Sequence, residues 1–299
     1  MEFRILGPFE VTHEGRPVVL GGRERVLLAL LLVSANQVVS SERLADDLWG
    51  GRPPERAIQS LRVHVSRLRR ALREAGLDGV LATHPGGYSV HIDPDALDAA
   101  RFETLLAQGR RMAAEGDHQG AAASLREALS LWRGPALADV AGPALLQAEA
   151  GRLEEGRLAA LEARIEADIA GGRHSEVTAE LDALTRAHPL RERLWAQRIL
   201  ALYRAGCQAE ALRAYQDLRR VLGEELGIEP GADLSRLETA ILRHDPELDW
   251  TPKDGRTTDD LAGAHGSDNR RAQAASGCPR CGTENPGVAR FCSSCGTSL

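Results

Sequence analysis

Between Arg56 and Arg73 the chain carries arginine at 56, 62, 67, 69, 70 and 73 and has no aspartate or glutamate. Within that span Ile58, Leu61, Val65, Leu68 and Leu72 recur at steps of three and four. That spacing lines one face of an α-helix. Gln59, Val63, Ser66, Arg67 and Arg70 then project from the opposite side. A helix that buries one stripe and offers arginine and short polar side chains on the other is suited to lie against phosphate and present donors to base edges.

The rest of the composition makes this face a local feature. The chain has 299 residues, 43% of them hydrophobic but only 4% aromatic, and a formal net charge of −6. Length predicts two or three domains, and a core of Leu, Ala and Val predicts mostly helix. An acidic chain is not a general polyanion binder, so a basic helix within it is selective. The N-terminus, MEFRILGPFEV, reads as a strand with an acid at Glu2 and not as a signal peptide. The longest apolar run, Val26–Val33, is too short to span a bilayer. A soluble cytoplasmic protein, associated with the nucleoid and without a membrane partner, is expected.

Strand-like alternation covers Phe3–Leu6, Phe9–Thr12 and Pro17–Leu20, with a turn at Glu14-Gly15. A buried helix is expected at about Arg23–Ala35. A second opens at a Ser40 or Ser41 cap and ends at Gly50-Gly51-Arg52-Pro53-Pro54. The arginine-rich helix follows and stops at Gly76. Val80–Thr83 and Tyr88–Ile92 then form a hairpin around His84-Pro85-Gly86-Gly87. Beyond it, helices are predicted at about Leu97–Ala114, His118–Leu131, Ala144–Ala170, His174–Ala187, Leu190–Ala205, Gln208–Leu222 and Asp233–Leu242. Their Gly-containing breaks suggest tetratricopeptide-like hairpins with uneven spacing. Trp132 and Trp195 are expected as packing anchors, and Cys207 as a buried structural thiol. Residues 247–276 are polar and aperiodic, as in a flexible linker.

The order strands, three helices, hairpin, together with Ala57, the string Leu61-Arg62-Val63-His64-Val65-Ser66-Arg67-Leu68-Arg69-Arg70-Ala71-Leu72 and Gly86-Gly87-Tyr88, resembles the OmpR/PhoB-type winged-helix DNA-binding domain over residues 1–93. Residues 94–246 resemble the bacterial transcriptional activation domain. Ala99-Ala100-Arg101-Phe102, Ala128–Leu137, Ala211–Tyr215 and Leu226-Gly227-Ile228-Glu229-Pro230 carry that likeness. Together the two halves look like the Streptomyces antibiotic regulatory protein family of activators. The fold class so implied is mainly α: a winged helix-turn-helix, an all-α tetratricopeptide-like repeat domain and a small C-terminal module at 277–299.

The resemblance implies Arg62, Val63 and Arg67 at base edges, with Ser60, His64, Arg69 and Arg70 nearer phosphate. Arginine grips guanine O6 and N7 bidentately, and a valine can meet a thymine methyl. Where many relatives place arginine in the wing, this chain has His84 followed by Pro85, and Ser89 stands where a second basic residue is common. His84 is either a wing contact or a turn residue. The loop of Trp49, Gly51, Arg52 and Pro53 is where this fold commonly touches RNA polymerase or sigma factor. The resemblance further implies side-by-side protomers, a homodimer on double-stranded DNA, bound to tandem direct repeats near promoters of specialised-metabolite (antibiotic) genes.

Cys278, Cys281, Cys292 and Cys295 are spaced C-x2-C-x10-C-x2-C, each pair in a knuckle with glycine after the second thiol. Four thiolates make a closed tetrahedral zinc site, and a module this short depends on the metal to fold. A structural Zn2+ in a zinc ribbon is expected; a rubredoxin-type iron or redox disulfides are the other chemistries of four cysteines. No catalytic residues are expected. The sole lysine, Lys253, follows Pro252, so there is no Gly-Lys-Ser/Thr of a P-loop. The rival to an activator is a scaffold protein whose helical repeats, winged helix and ribbon all bind protein partners.

Overall fold

The protein is described here from a computed structural model, which describes residues 1–140 and 142–251, with the backbone of two short strands further on. The chain divides into one unit of residues 1–251 and another of 252–299.

The N-terminal sheet is antiparallel in the order β1 (Glu2–Arg4), β2 (Glu10–His13), β3 (Arg16–Pro17). Glu14 and Gly15 turn β2 into β3 with φ of 50° and 75°, the left-handed pair that two-residue hairpins require. Two boundaries differ from the predicted strands for a physical reason. Beyond Arg4, the Ile5 and Leu6 N–H groups leave the sheet and donate to the Asp98 carboxylate at 2.8 and 3.0 Å. The β3 ladder closes at Pro17, which has no N–H to offer, although Val18 still donates to the Val11 carbonyl at 2.9 Å.

Next come α1 (Gly22–Val33), β4 (Val39–Ser40), α2 (Ser41–Leu48), α3 (Ala57–Glu74), β5 (Leu81–His84) and β6 (Gly87–Val90). α1 buries Leu27 through Leu32 without a break, because it is enclosed by α2, α3 and the helical half. Ser40 caps α2, its hydroxyl accepting from the Arg43 N–H at 3.2 Å. β4 is too short to be predicted from pattern. It pairs with β6, giving a sheet in the order β4-β6-β5. Asn36 extends this sheet edge with its side chain: its amide donates to the Ile92 carbonyl and accepts from the Ile92 N–H at 3.0 and 3.1 Å.

The helical half runs α4 (Asp98–Ala114), α5 (His118–Ser130), α6 (Ala144–Ala170), α7 (Thr178–Ala187), α8 (Glu192–Arg204), α9 (Gln208–Leu226) and α10 (Ala232–Arg243). Left-handed Gly116 and Gly206, at φ of 85° and 79°, turn α4 into α5 and α8 into α9, the hairpins that the repeat pattern predicts. The predicted helix at His174–Ala187 is instead a 3-10 turn, His174–Val177, leading into α7.

One apolar core runs through both halves. Phe3, Leu27 and Leu31 of the winged helix belong to the same cluster as Phe102, Leu125, Trp132 and Leu153. Polar bonds reinforce the join. Arg133 reaches the Pro8 carbonyl at 3.0 Å and Glu10 at 3.1 Å, while its own N–H donates to Leu6. The Asp139 carboxylate accepts from the Phe9 N–H at 2.6 Å and pairs with Arg25. Trp132 meets Phe102 edge to face at 5.5 Å and lies under Arg157 at 4.9 Å. Trp195 anchors a second cluster with Ile199 and Tyr215. Both tryptophans thus pack between helices as expected. Cys207 does not fit its expectation: it is half-buried at the start of α9, where a helix terminus keeps it near solvent.

The second unit contributes the antiparallel strands β7 (Ser276–Gly277) and β8 (Glu284–Asn285). Cys278, Cys281, Cys292 and Cys295, and the linker expected at 247–276 from residue 252 on, lie outside the described residues, apart from the β7 backbone. Residues 247–251 are described, and they are ordered against the helical half: Pro246–Leu248 is a 3-10 turn, and Trp250 donates its indole N–H to the Ala170 carbonyl at 2.8 Å. Among the described residues no helix is long and apolar enough to cross a membrane.

Candidate nucleic-acid interface

α3 forms because its apolar spacing matches the helical repeat along its whole length. Ala57, Leu61, Val65, Leu68 and Leu72 are buried against α1 and α2. Burying a leucine or valine side chain contributes roughly 1.5–3 kcal/mol each relative to leaving it exposed. The helix is therefore held from below and leaves its other face to solvent. Gln59, Arg62, Val63, Ser66, Arg67 and Arg70 are exposed, and Ser60, His64 and Arg69 are partly covered. Val63 is 46% exposed, unusual for a valine that a fold could have buried.

The arginines divide by what they touch. Across the rest of the molecule arginine is commonly neutralised: Arg126, Arg164 and Arg173 converge on Asp168, and Arg191 bridges Glu155 and Glu162. On α3, Arg70 pairs with Glu74 at 2.7 Å and Arg73 approaches Asp78 at 3.5 Å. Arg69 braces the hairpin, donating to Thr83 Oγ1 at 2.7 Å. Among the described residues Arg56, Arg62 and Arg67 have no hydrogen-bond or ion-pair partner. On α3 and at its start, these three side chains are the arginines without an internal partner.

His64 is not simply part of the exposed face. Its Nδ1 lies 2.9 Å from Oε1 of Glu24 on α1, and its ring lies 6.1 Å from that of Trp49. Burial pushes the Glu24 carboxyl up, but the His64 hydrogen bond, a backbone N–H and the Arg67 charge outweigh it and hold the group below its ordinary value. Only Nε2 of His64 remains to meet an outside group.

The α2–α3 loop is set by two consecutive left-handed glycines, Gly50 and Gly51, at φ of 62° and 75°. Gly51 N–H closes onto the Asp46 carbonyl at 2.8 Å and Arg52 N–H onto Trp49 at 3.3 Å. Gly51, Arg52 and Pro53 are exposed. Trp49 is half-buried, with the Arg23 guanidinium over its ring at 5.3 Å.

The hairpin is the wing. His84 Nε2 lies 2.8 Å from the Ser89 hydroxyl, and His91 Nε2 lies at the same distance on its other side. Glu24 and His91 are the residues that the sequence does not single out, and Ser89 stands out there only as the absence of a basic residue. The two-residue period of β6 could have placed Ser89 and His91 on one face, but nothing in the sequence pairs Glu24 with a residue forty positions on.

A long exposed helix with unpaired arginines, seated on two helices and flanked by a hairpin wing, defines the class of winged helix-turn-helix regulators. Residues 15–90 match the C-terminal domain of transcriptional regulatory proteins, residues 97–242 the bacterial transcriptional activator domain and residues 278–299 a zinc-ribbon domain. The chain is 41% identical over 257 residues to the regulatory protein DnrI of Streptomyces peucetius, covering 83% of this chain and 94% of that one. It is 43% identical over 250 residues to the regulatory protein AfsR of Streptomyces coelicolor, again over 83% of this chain but only 25% of AfsR. Among solved structures, Mycobacterium tuberculosis EmbR in complex with a low affinity phosphopeptide superposes with a TM-score of 0.79 at 40% identity, covering 82% of this chain and 65% of EmbR. The chain belongs to the Streptomyces antibiotic regulatory protein family of transcriptional regulators.

Proposed function

We propose that this regulator is a sequence-specific activator that lays α3 in the major groove. Arg62, Val63 and Arg67 read base edges, and Ser60, Arg69, Arg70 and the Nε2 of His64 lie toward phosphate. The observation that carries this reading is the unpaired state of Arg62 and Arg67 on a helix face whose other side is fully committed to the core. In an acidic chain, two unpaired arginines on one exposed helix face, flanking an exposed valine, match the donor and methyl pattern of a base pair edge.

Two protomers bind tandem direct repeats near promoters, and the exposed Gly51-Arg52-Pro53 turn, with Trp49 as its buttress, meets RNA polymerase or sigma factor. Membership of the Streptomyces antibiotic regulatory protein family supports antibiotic biosynthesis genes as targets, with the cytoplasmic nucleoid as the place of action. The domains act as 1–93 for DNA, 94–251 for activation and protomer contact, 252–276 as a connector and 277–299 as a zinc-holding ribbon. The four cysteines suit zinc as closed tetrahedral ligands.

Selection of bound duplexes from a random library, with wild type and Arg67→Ala, tests the reading. Wild type should enrich a tandem repeat, and Arg67→Ala should blur one position per half-site by about 1–3 kcal/mol. Affinity should fall steeply with salt. No enrichment by folded protein at moderate salt would point instead to the scaffold role.

A further inference from the structure

The β5–β6 register sets Ala82 opposite Ser89 and His84 opposite Gly87. Side chains alternate along strands, so Ala82, His84, Ser89 and His91 share one face of the wing, while Thr83 turns to Arg69 on the other. Ser89 is fully buried, and its hydroxyl lies between the two imidazoles, 2.8 Å from each Nε2. The rings are tilted at 59° with centroids 6.1 Å apart. His91 is exposed and His84 half-buried, so both reach solvent.

A serine hydroxyl has one proton to give. With both imidazoles neutral, it donates to one Nε2 and accepts an N–H from the other. A further proton from solvent goes to the Nε2 that had been the acceptor. Oγ then receives two N–H bonds, which its lone pairs allow, and its own hydrogen turns away. The cluster takes up a positive charge without moving a heavy atom.

Among the described residues no acid forms an ion pair with either imidazole. α3 offers Arg69 to the same hairpin. β4 supplies Val39 and Ser40, neither charged. α1 packs on β6 with no acidic or basic residue in its last helical turn. Asp93, the nearest acid along the chain, keeps its charge while accepting the Asp95 N–H at 3.0 Å, and it forms no ion pair with either imidazole among the described residues.

We propose that His84 and His91, bridged by Ser89, form a proton-loaded contact of the wing with the DNA phosphate backbone, so that binding takes up a proton. The proposal rests on the DNA-binding reading above and adds its regulation by pH. A phosphate beside the pair favours the imidazolium, and by reciprocity imidazolium formation favours the phosphate. Imidazole is the side chain whose ordinary titration falls between pH 5 and 8, where an arginine wing would hold constant charge.

The test uses the full zinc-loaded chain and one duplex enriched by wild type. With binding coupled to proton uptake, Kd at pH 6 should be on the order of tenfold below Kd at pH 8. The slope of log K against log salt should steepen by about 0.9 at the lower pH. Calorimetry at pH 7 in two buffers of different ionisation enthalpy should show net proton uptake on binding. His84→Gln with His91→Gln should flatten the pH dependence, while His188→Gln, at the end of α7 in the helical half, should keep it. Absence of any enriched duplex overturns both readings. Binding to an enriched duplex with pH-independent Kd, or without proton uptake by wild type, or with the dependence intact in the double variant, overturns this one alone.

Discussion

Glu24 on α1 and His64 on α3 hold each other across the inner edge of the exposed helix, Oε1 to Nδ1 at 2.9 Å. The pair ties the face turned to solvent to the helix buried beneath it. It also fixes the sign of an acid effect. The Glu24 carboxyl is held below its ordinary value of 4.5, so its stabilisation is complete above the unfolded value and fades as pH falls through the folded one. Glu24→Gln should therefore be less stable than wild type near neutrality, and the gap should shrink as pH falls below the ordinary carboxyl value of 4.5. Denaturant titrations at a series of pH values measure it. A gap that widens in acid would contradict the pairing.

Asp98 carries the join between the two halves. Its carboxylate accepts the Ile5 and Leu6 N–H groups, and Arg133 stands 3.8 Å away. Burial pushes the carboxyl up, against the pull of those N–H groups and of Arg133. Asp98→Ala leaves two buried backbone donors without a partner, at roughly 1–3 kcal/mol each. Calorimetry should show a clearly lower Tm, by about 2–4 °C per kcal/mol for a unit of this size. Asp139→Ala, at a more exposed site, should cost less.

Gly172 and Trp250 meet at the far end of the helical half. Gly172 is left-handed at φ +83°, and a Cβ there would stand 2.6 Å from the indole ring. Gly172→Ala should expel Trp250 into solvent and break its hydrogen bond to Ala170. The readout is a red shift of tryptophan emission, absent in a Gly172→Ala, Trp250→Phe double variant relative to Trp250→Phe alone.

The cysteine module gives a prediction of composition. Full-length protein should bind one zinc ion per chain, and Cys278→Ser with Cys292→Ser should abolish that by elemental analysis. Far-ultraviolet dichroism should barely change, since the described helices lie before residue 252. Loss of most helical signal with the metal would contradict this.

Much of the architecture is legible because it obeys local rules. α6 spans the predicted Ala144–Ala170, since Pro143 opens it and Gly171-Gly172 closes it. α3 is legible through its apolar stripe, and the exposed positions of Arg62, Val63 and Arg67 follow from that stripe alone. What stays hidden depends on distance along the chain. Ile5 and Leu6 alternate like strand residues, yet their partner is Asp98, more than ninety positions later. His64 looks like part of the polar face until Glu24 is brought beneath it. Both cases turn on a polar side chain satisfying a buried group, which leaves no periodic trace in sequence.

The shared core also constrains where a bound molecule can act. Phe3 and Phe102 belong to one packed interior, so the winged-helix half that carries α3 and the helical half have no slack between them. Such a body works as a protractor. Once α3 is seated, the angle at which the helical half leaves the duplex is settled. For a protein acting as proposed, moving the operator by about five base pairs, half a turn of B-DNA, would swing the helical half to the opposite side. Promoters served by it should therefore tolerate shifts of a whole turn better than shifts of half a turn.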